Sequence, residues 1–499
     1  MKSLISVSLV IVCFASFSGN HLFAQYDETY RPQYHFSPKK GWIGDPDGLV
    51  KWKGIYHLFW WGHATSNDLV HWQELPYPMQ GGDGSFHYFS GSVIVDKYNS
   101  ANFGDSSMIA VYTAHKNDSV PEYQAISYSN NDTLFHWYKK NPVLDIGSNS
   151  FRDPQVFWYA PKKQWIMIVT HPHQHKVSFY SSLDVKQWTY LSEFGPMGSY
   201  TNDWEVPDLF QLPVDGNRNL KKWVLSIGQG PNRMQYFTGD FDGTTFTPDA
   251  QTIAQNKKHE TALWADYGTD FYAARSWRNI DDTTSERTTW MGWMGNWSYA
   301  GKVPSSWGKG FESIPRDIAL RTFPQGIRLI QMPVPELKML RTDSVLLTKQ
   351  TINGVKELSQ FNPKQNTYEI EAELQKGGAS TFGFHFLVGE GRKLVVGYDA
   401  KKEELFIDRT HCTDFVSDSV FNNHFPVIIT APLSLHNQSL KLHVFIDKAS
   451  VEVFANDGEI VMSATTFPSD SQTGIQLFST GGNAEMLAGK AWRLTSIWK

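Results

Sequence analysis

A chain of 499 residues is too long for one ordinary core, so two domains are expected. Aromatic residues make up 14% of it, with 19 Trp and 21 Tyr, which favours β structure and surfaces that pack on the C–H faces of sugars. The formal net charge of −5 carries no basic excess and no polybasic run, so neither nucleic acid nor a membrane surface is an expected partner.

Residues 1–24 read as an export signal. Met1 and Lys2 give a positive start, Leu4 to Phe17 is mostly apolar, and Leu22-Phe23-Ala24 offers a cleavage site. Cys13 suits a lipoprotein poorly, because Val12 precedes it where processing prefers a small residue. No other apolar stretch is long enough to span a bilayer. The expectation is a protein exported to the periplasm or the exterior, with no transmembrane segment in the mature chain. Cys412 then stands alone and no intrachain disulfide can form.

A pattern recurs through the first half. Ser66-Asn67-Asp68-Leu69-Val70-His71-Trp72 is echoed by Ser129 to Trp137 and by Ser182 to Trp188, with a looser copy at Gly239 to Gly243. Strand-like runs precede the first three copies: Tyr56 to Phe59, Gln124 to Tyr128 and Val177 to Tyr180. Polar turns leading into aromatic-anchored strands, at this period, predict four-stranded blades of a propeller. The repeats fade after about Arg316. The predicted domains are a propeller over 25–332, a linker over 333–350 and a second β domain over 351–499. That last part alternates cleanly at Tyr368 to Leu374, Leu442 to Ile446 and Val451 to Phe454, with a hairpin turn at Asn456-Asp457-Gly458. An antiparallel sandwich is the expected form.

Three acids fall on this frame. Asp45 lies just ahead of the first repeat's apolar strand, and Asp153 and Glu205 each follow a repeat's closing Trp by a similar interval. The innermost strand begins each blade and lines the axis, so equivalent positions converge on one funnel. An Asp before Pro is a common turn residue, but three acids in register make a glycosidase site. One carboxylate stabilises and traps an oxocarbenium-like state, and a second stays protonated to assist the leaving oxygen.

At these residues the chain resembles glycoside hydrolase family 32, which contains invertases, inulinases and levanases. Arg31 to Phe36 and Trp42 to Gly48 are similar to its nucleophile motif. Phe89-Ser90-Gly91-Ser92, Arg152-Asp153-Pro154 and Glu205-Val206-Pro207-Asp208 are similar to three more. Asp270 to Ala273, Gly292 to Met294, Ser313 to Arg316, Ile446-Asp447 and Ser450 to Phe454 continue the likeness. The resemblance implies a five-bladed β-propeller followed by a C-terminal β-sandwich, and a retaining mechanism. It implies Asp45 as nucleophile, Glu205 as general acid/base, and Asp153 on the ring hydroxyls beside the reacting carbon.

Departures from the family bear on the sugar. Gly44 and Asp47 stand where the family usually has Asn, and Val206 where it has Cys. A Gln-bearing loop is replaced by Phe59-Trp60-Trp61-Gly62-His63 running straight on. Two amides that grip a terminal fructose are therefore missing. Trp42, Trp61 and Trp293 are expected to stack on sugar faces, Phe89 and Ser90 to form pocket wall, and Arg152 to pair with a carboxylate or donate to a hydroxyl. His171 to His175 reads as a loop rather than a metal site, and neither metal nor cofactor is expected. The leading expectation is an exo-acting β-fructosidase on sucrose, inulin or levan. Alternatives are a hydrolase for an unusual fructoside or other furanoside, a fructosyltransferase, and a catalytically silent fructan-binding protein.

Overall fold

The computed structural model describes residues 26–80, 84–131, 133–250, 262–278, 287–413 and 419–498. The expected export signal lies outside them. The described residues are almost entirely strand. Five antiparallel units, each built on four strands, precede one larger sheet.

The first strands of the five units are Gly48–Trp52, His87–Asp96, Arg152–Tyr159, Trp204–Val214 and Tyr272–Ser276. Each packs against its neighbours on either side, and the last packs against the first. A ring results, with these five strands around its axis. Closure is made by the backbone: Val50 bridges Arg278, and the short strand Gly41–Trp42 pairs in parallel with Gly308–Lys309. Trp165, Trp204 and Trp290 are fully buried between blades, which accounts for part of the aromatic excess.

The sequence repeats correspond to one turn used four times. Asp68, Asp184 and Asp242 each accept two successive backbone N–H groups through one side-chain oxygen, and Asn131 does the same. In two copies the anchoring indole donates back to the turn, Trp72 to the Leu69 carbonyl at 3.0 Å and Trp188 to the Val185 carbonyl at 3.1 Å. The Asx turn thus sets the entry to the outer strand of a blade.

The second domain is a β-sandwich threaded by one long strand, Gly474–Leu494. One end of that strand pairs with Thr381–Gly389 and the other with Tyr368–Gln375. Gly481 and Gly482, at φ 70° and 153°, supply the backbone freedom for the turn between the two halves. The stretch read as a linker is more ordered than the sequence suggested. Pro335–Leu340 is a 3-10 helix, and Arg341–Leu347 pairs with the long strand. Arg341 fixes it there by stacking on Trp492 and bonding Glu369.

The domains are joined by buried charge. Arg316 reaches Asp266 at 2.9 Å and also bonds Glu452 of the sandwich, while His35 spans Asp447 at 2.8 Å and Glu452 at 2.7 Å. All five side chains are almost fully excluded from solvent. Cys412 is buried and free.

Candidate active site

Asp153 and Glu205 sit at a repeated irregularity. In blades two to five the pairing register breaks at the start of the innermost strand, between Tyr88 and Gly91, Arg152 and Gln155, Glu205 and Asp208, and Tyr272 and Arg275. Asp153, Val206 and Ala273 adopt left-handed backbone there, at φ 64°, 48° and 53°. Each such residue costs about 1–3 kcal/mol and persists only where its surroundings enforce it. The bulges turn side chains toward the axis. Gly91 is required at its bulge, since a Cβ would lie 2.0 Å from the Val111 carbonyl oxygen.

Asp45, Asp153 and Glu205 line one cavity of about 380 Å³, together with Trp42, Asp47, Trp61, Phe89, Ser90 and Arg152. Ser90 Oγ donates to Asp45 Oδ2 at 2.7 Å, while Asp45 Oδ1 has no hydrogen-bond partner. Burial, reinforced by the charge of Glu205, pushes the Asp45 carboxyl up to about 6 against the pull of Ser90. Asp47 is also held well above the ordinary carboxylate range, by burial and by Asp45, and accepts the Gly91 N–H at 3.3 Å.

Glu205 is held from two sides. Tyr272 donates to its Oε2 at 2.6 Å, and Arg152 Nη1 lies 3.3 Å from its Oε1. Burial and the nearby Asp153 raise its pKa, and Tyr272 and Arg152 oppose that shift. Arg152 is itself anchored by Glu122, which also accepts the Phe151 N–H at 2.7 Å. Asp153 Oδ2 accepts the Val206 N–H at 3.0 Å, and its carboxyl is pushed to about 6 by burial, with Arg152 opposing and Asp45 reinforcing. The site therefore holds one carboxyl with a free oxygen, one gripped by a phenol and a guanidinium, and a third tied to the backbone.

The aromatic residues divide differently from the expectation. Trp42 is 40% exposed and stacks on Trp297, itself 50% exposed, at 5.5 Å and 24°. Trp293, expected at the rim, is fully buried beside both rings, so the exposed face belongs to Trp297. Trp61 lies at the wall with little exposure and donates to the Phe89 carbonyl at 3.0 Å. Phe89 stacks on His115 at 4.1 Å. Sequence reasoning gave no role to Tyr272, Glu122 or Trp297. Tyr272 stands at the register break of the fifth inner strand as Glu205 does at that of the fourth, and that shared position was the available signal.

Among the described residues, Glu369, Glu371 and His443 form a group close enough to share an ion. Arg341 already pairs with both glutamates there. In the His171 to His175 stretch, His173 bonds Asp203 and His171 bonds Ser178, both at 2.8 Å.

Comparison with known proteins agrees with this arrangement over nearly the whole chain. The glycosyl hydrolases family 32 N-terminal domain matches residues 35–333, and the family's C-terminal domain matches residues 336–493. The levanase of Bacillus subtilis (strain 168) is 41% identical over 95% of this chain and 72% of its own length. The extracellular exo-inulinase of Aspergillus niger is 34% identical over 95% of this chain and 96% of its own. The crystal structure of exo-inulinase from Aspergillus awamori superposes with a TM-score of 0.86 at 32% identity, covering 95% of this chain and all of that one. The chain belongs to glycosyl hydrolase family 32.

Proposed function

We propose that this protein is an exported, retaining β-fructosidase acting on fructans or sucrose-type sugars, with Asp45 as nucleophile and Glu205 as acid/base. The observation that carries the reading is the asymmetry of the two carboxyls. Asp45 is held by a single hydroxyl, Ser90, with its other oxygen unpaired, whereas Glu205 is gripped by both Tyr272 and Arg152.

Asp45 attacks the anomeric C2 while Glu205 gives its proton to the departing glycosidic oxygen. A fructosyl ester on Asp45 results, and the leaving sugar takes the proton. Glu205, now ionised, removes a proton from water, which attacks C2 and releases fructose and the Asp45 carboxylate. Asp153, tied through Oδ2 to the backbone, presents its other oxygen to the ring hydroxyls. The retaining route asks for a separation of ~5–5.5 Å between the Asp45 and Glu205 carboxyls. Trp42 and Trp297 offer flat faces to the sugar beyond the cleaved bond. Export rests on the apolar segment Leu4 to Phe17 and on the extracellular relative.

The deciding experiment is sugar release from sucrose, inulin and levan, read by chromatography. Hydrolysis of at least one is expected. Binding of fructans without release would favour the silent-lectin alternative, and transfer products in place of free fructose would favour the transferase.

A further inference from the structure

Three of the innermost strands begin at the funnel: His87–Asp96 with Ser90, Arg152–Tyr159 with Asp153, and Trp204–Val214 with Glu205. Toward their other ends lies a second cavity, of about 370 Å³, lined by Lys97, Tyr98, Trp158, Gln211, Trp223 and Arg278. Trp158 follows Asp153 on the same strand, roughly 16 Å further on at the rise of an extended chain. No residue of this cavity also lines the one that holds the three acids.

The rings of the second cavity are fixed by packing. Tyr98 is 64% exposed and lies against Trp158 at 4.7 Å and 35°. Trp158 meets Trp165 edge-on at 5.2 Å, and Trp165 is buried with its indole donating to Ser100 Oγ at 2.8 Å. Trp223, half-buried, packs on Phe157 at 5.8 Å. Arg278 enters from the ring closure. Its guanidinium lies over the Phe157 ring at 5.7 Å, bonds Asp208, and reaches the Leu209 carbonyl at 3.0 Å. Lys97 and Gln211 are exposed at the rim.

We infer that this cavity binds a stretch of the fructan chain away from the bond being cut. The inference takes its ligand class from the fructosidase reading and adds a place where polymer is held without being cleaved. Tyr98, Trp158 and Trp223 offer aromatic surface to the C–H faces of sugar rings. The Gln211 amide and the Lys97 ammonium supply donors for hydroxyl and ring oxygens. A neutral, hydroxyl-rich chain fits better than an anion, because Asp208 already balances the Arg278 charge. A concave site of this size, with polar groups set between apolar walls, suits a small-ligand segment rather than a flat protein partner. The braced rings need little ordering when the chain docks.

The test is retention during native electrophoresis through gels containing levan, inulin or dextran, with the protein carried as Asp45→Asn so that the polymers stay intact. Retention by at least one fructan and none by dextran is expected. Tyr98→Ala removes a largely exposed ring and leaves the cores untouched. It should weaken retention about threefold, and Trp158→Ala about tenfold, the range of one stacking face. With Asp45 restored, Tyr98→Ala should raise KM for the retained polymer by a similar factor and leave kcat/KM for sucrose-sized fructosides unchanged. Retention that is the same in both variants, or equal retention by dextran, would overturn the site while leaving the fructosidase reading intact. Absence of sugar release from every fructan by the protein with Asp45 in place would overturn the fructosidase reading itself, whatever the gels show.

Discussion

Ser90 Oγ donates to Asp45 Oδ2 at 2.7 Å, while the other carboxylate oxygen, Oδ1, is buried without a hydrogen-bond partner. The Ser90 bond also holds the Asp45 pKa down against burial. Activity needs Asp45 ionised, so kcat/KM should fall as pH drops below about 6. Ser90→Ala removes a bond to the charged form and should move that acid limb to higher pH. A loss of about 10-fold or more in kcat is expected from the freed carboxylate, since a bond to a charged group is worth about 1.5–3 kcal/mol. A pH–rate profile of the two proteins on one substrate checks both. An acid limb that stays in place would separate Ser90 from the ionisation of Asp45.

The convergence of Asp45, Asp153 and Glu205 on one cavity was legible because their positions repeat with the blades, and a repeat register is a property of sequence. The same holds for the turns at Asp68, Asp184 and Asp242. What was not legible depends on which neighbours a ring closure brings together. Trp293 and Trp297 are four residues apart, yet one is fully buried and the other half exposed, because Trp42 from the chain's start lies against both. The role of Gly44 was equally hidden. A Cβ there would lie 3.0 Å from Trp42 Nε1, so the place of a side chain is taken by an indole from two residues earlier. Arg316 and Glu452 stood out only as parts of motifs shared with the family, and their task, holding the two domains together, was not legible.

The division among the tryptophans has a measurable consequence. Trp297→Ala should raise KM for a long fructan several-fold with little change in kcat, because it removes a stacking face and no catalytic group. Trp293→Ala should instead lower the melting temperature, since truncating a buried aromatic costs about 3–5 kcal/mol. Thermal unfolding and steady-state kinetics on both variants test the assignment. A KM effect for Trp293→Ala at unchanged stability would reverse it.

The charge network between the domains predicts both a loss and a pH dependence. Arg316→Met leaves Asp266 buried without its cation and Glu452 with His35 alone for a cation, which should cost about 3–5 kcal/mol in chemical denaturation. Burial opposes the charged form of His35, but its bonds to Asp447 and Glu452 outweigh this and hold its pKa at about 9, above the ordinary 6.5. The protonated ring therefore contributes its full stability below about pH 6.5 and loses it as pH rises through 9. His35→Gln should flatten the decline in melting temperature over that window. An unchanged slope would show that His35 is not charged in the folded protein.

The roles of Asp45 and Glu205 meet in one measurement on Glu205→Ala with an aryl β-fructoside and azide. The activated leaving group needs little protonation, so the fructosyl–Asp45 ester should still form, and its hydrolysis should become limiting. Azide needs no general base and should restore turnover. Because two displacements occur at C2, the fructosyl azide should carry the β configuration of the substrate, read directly by NMR. An α-fructosyl azide, or no rescue in a folded variant, would contradict the double displacement and the parts given to both residues.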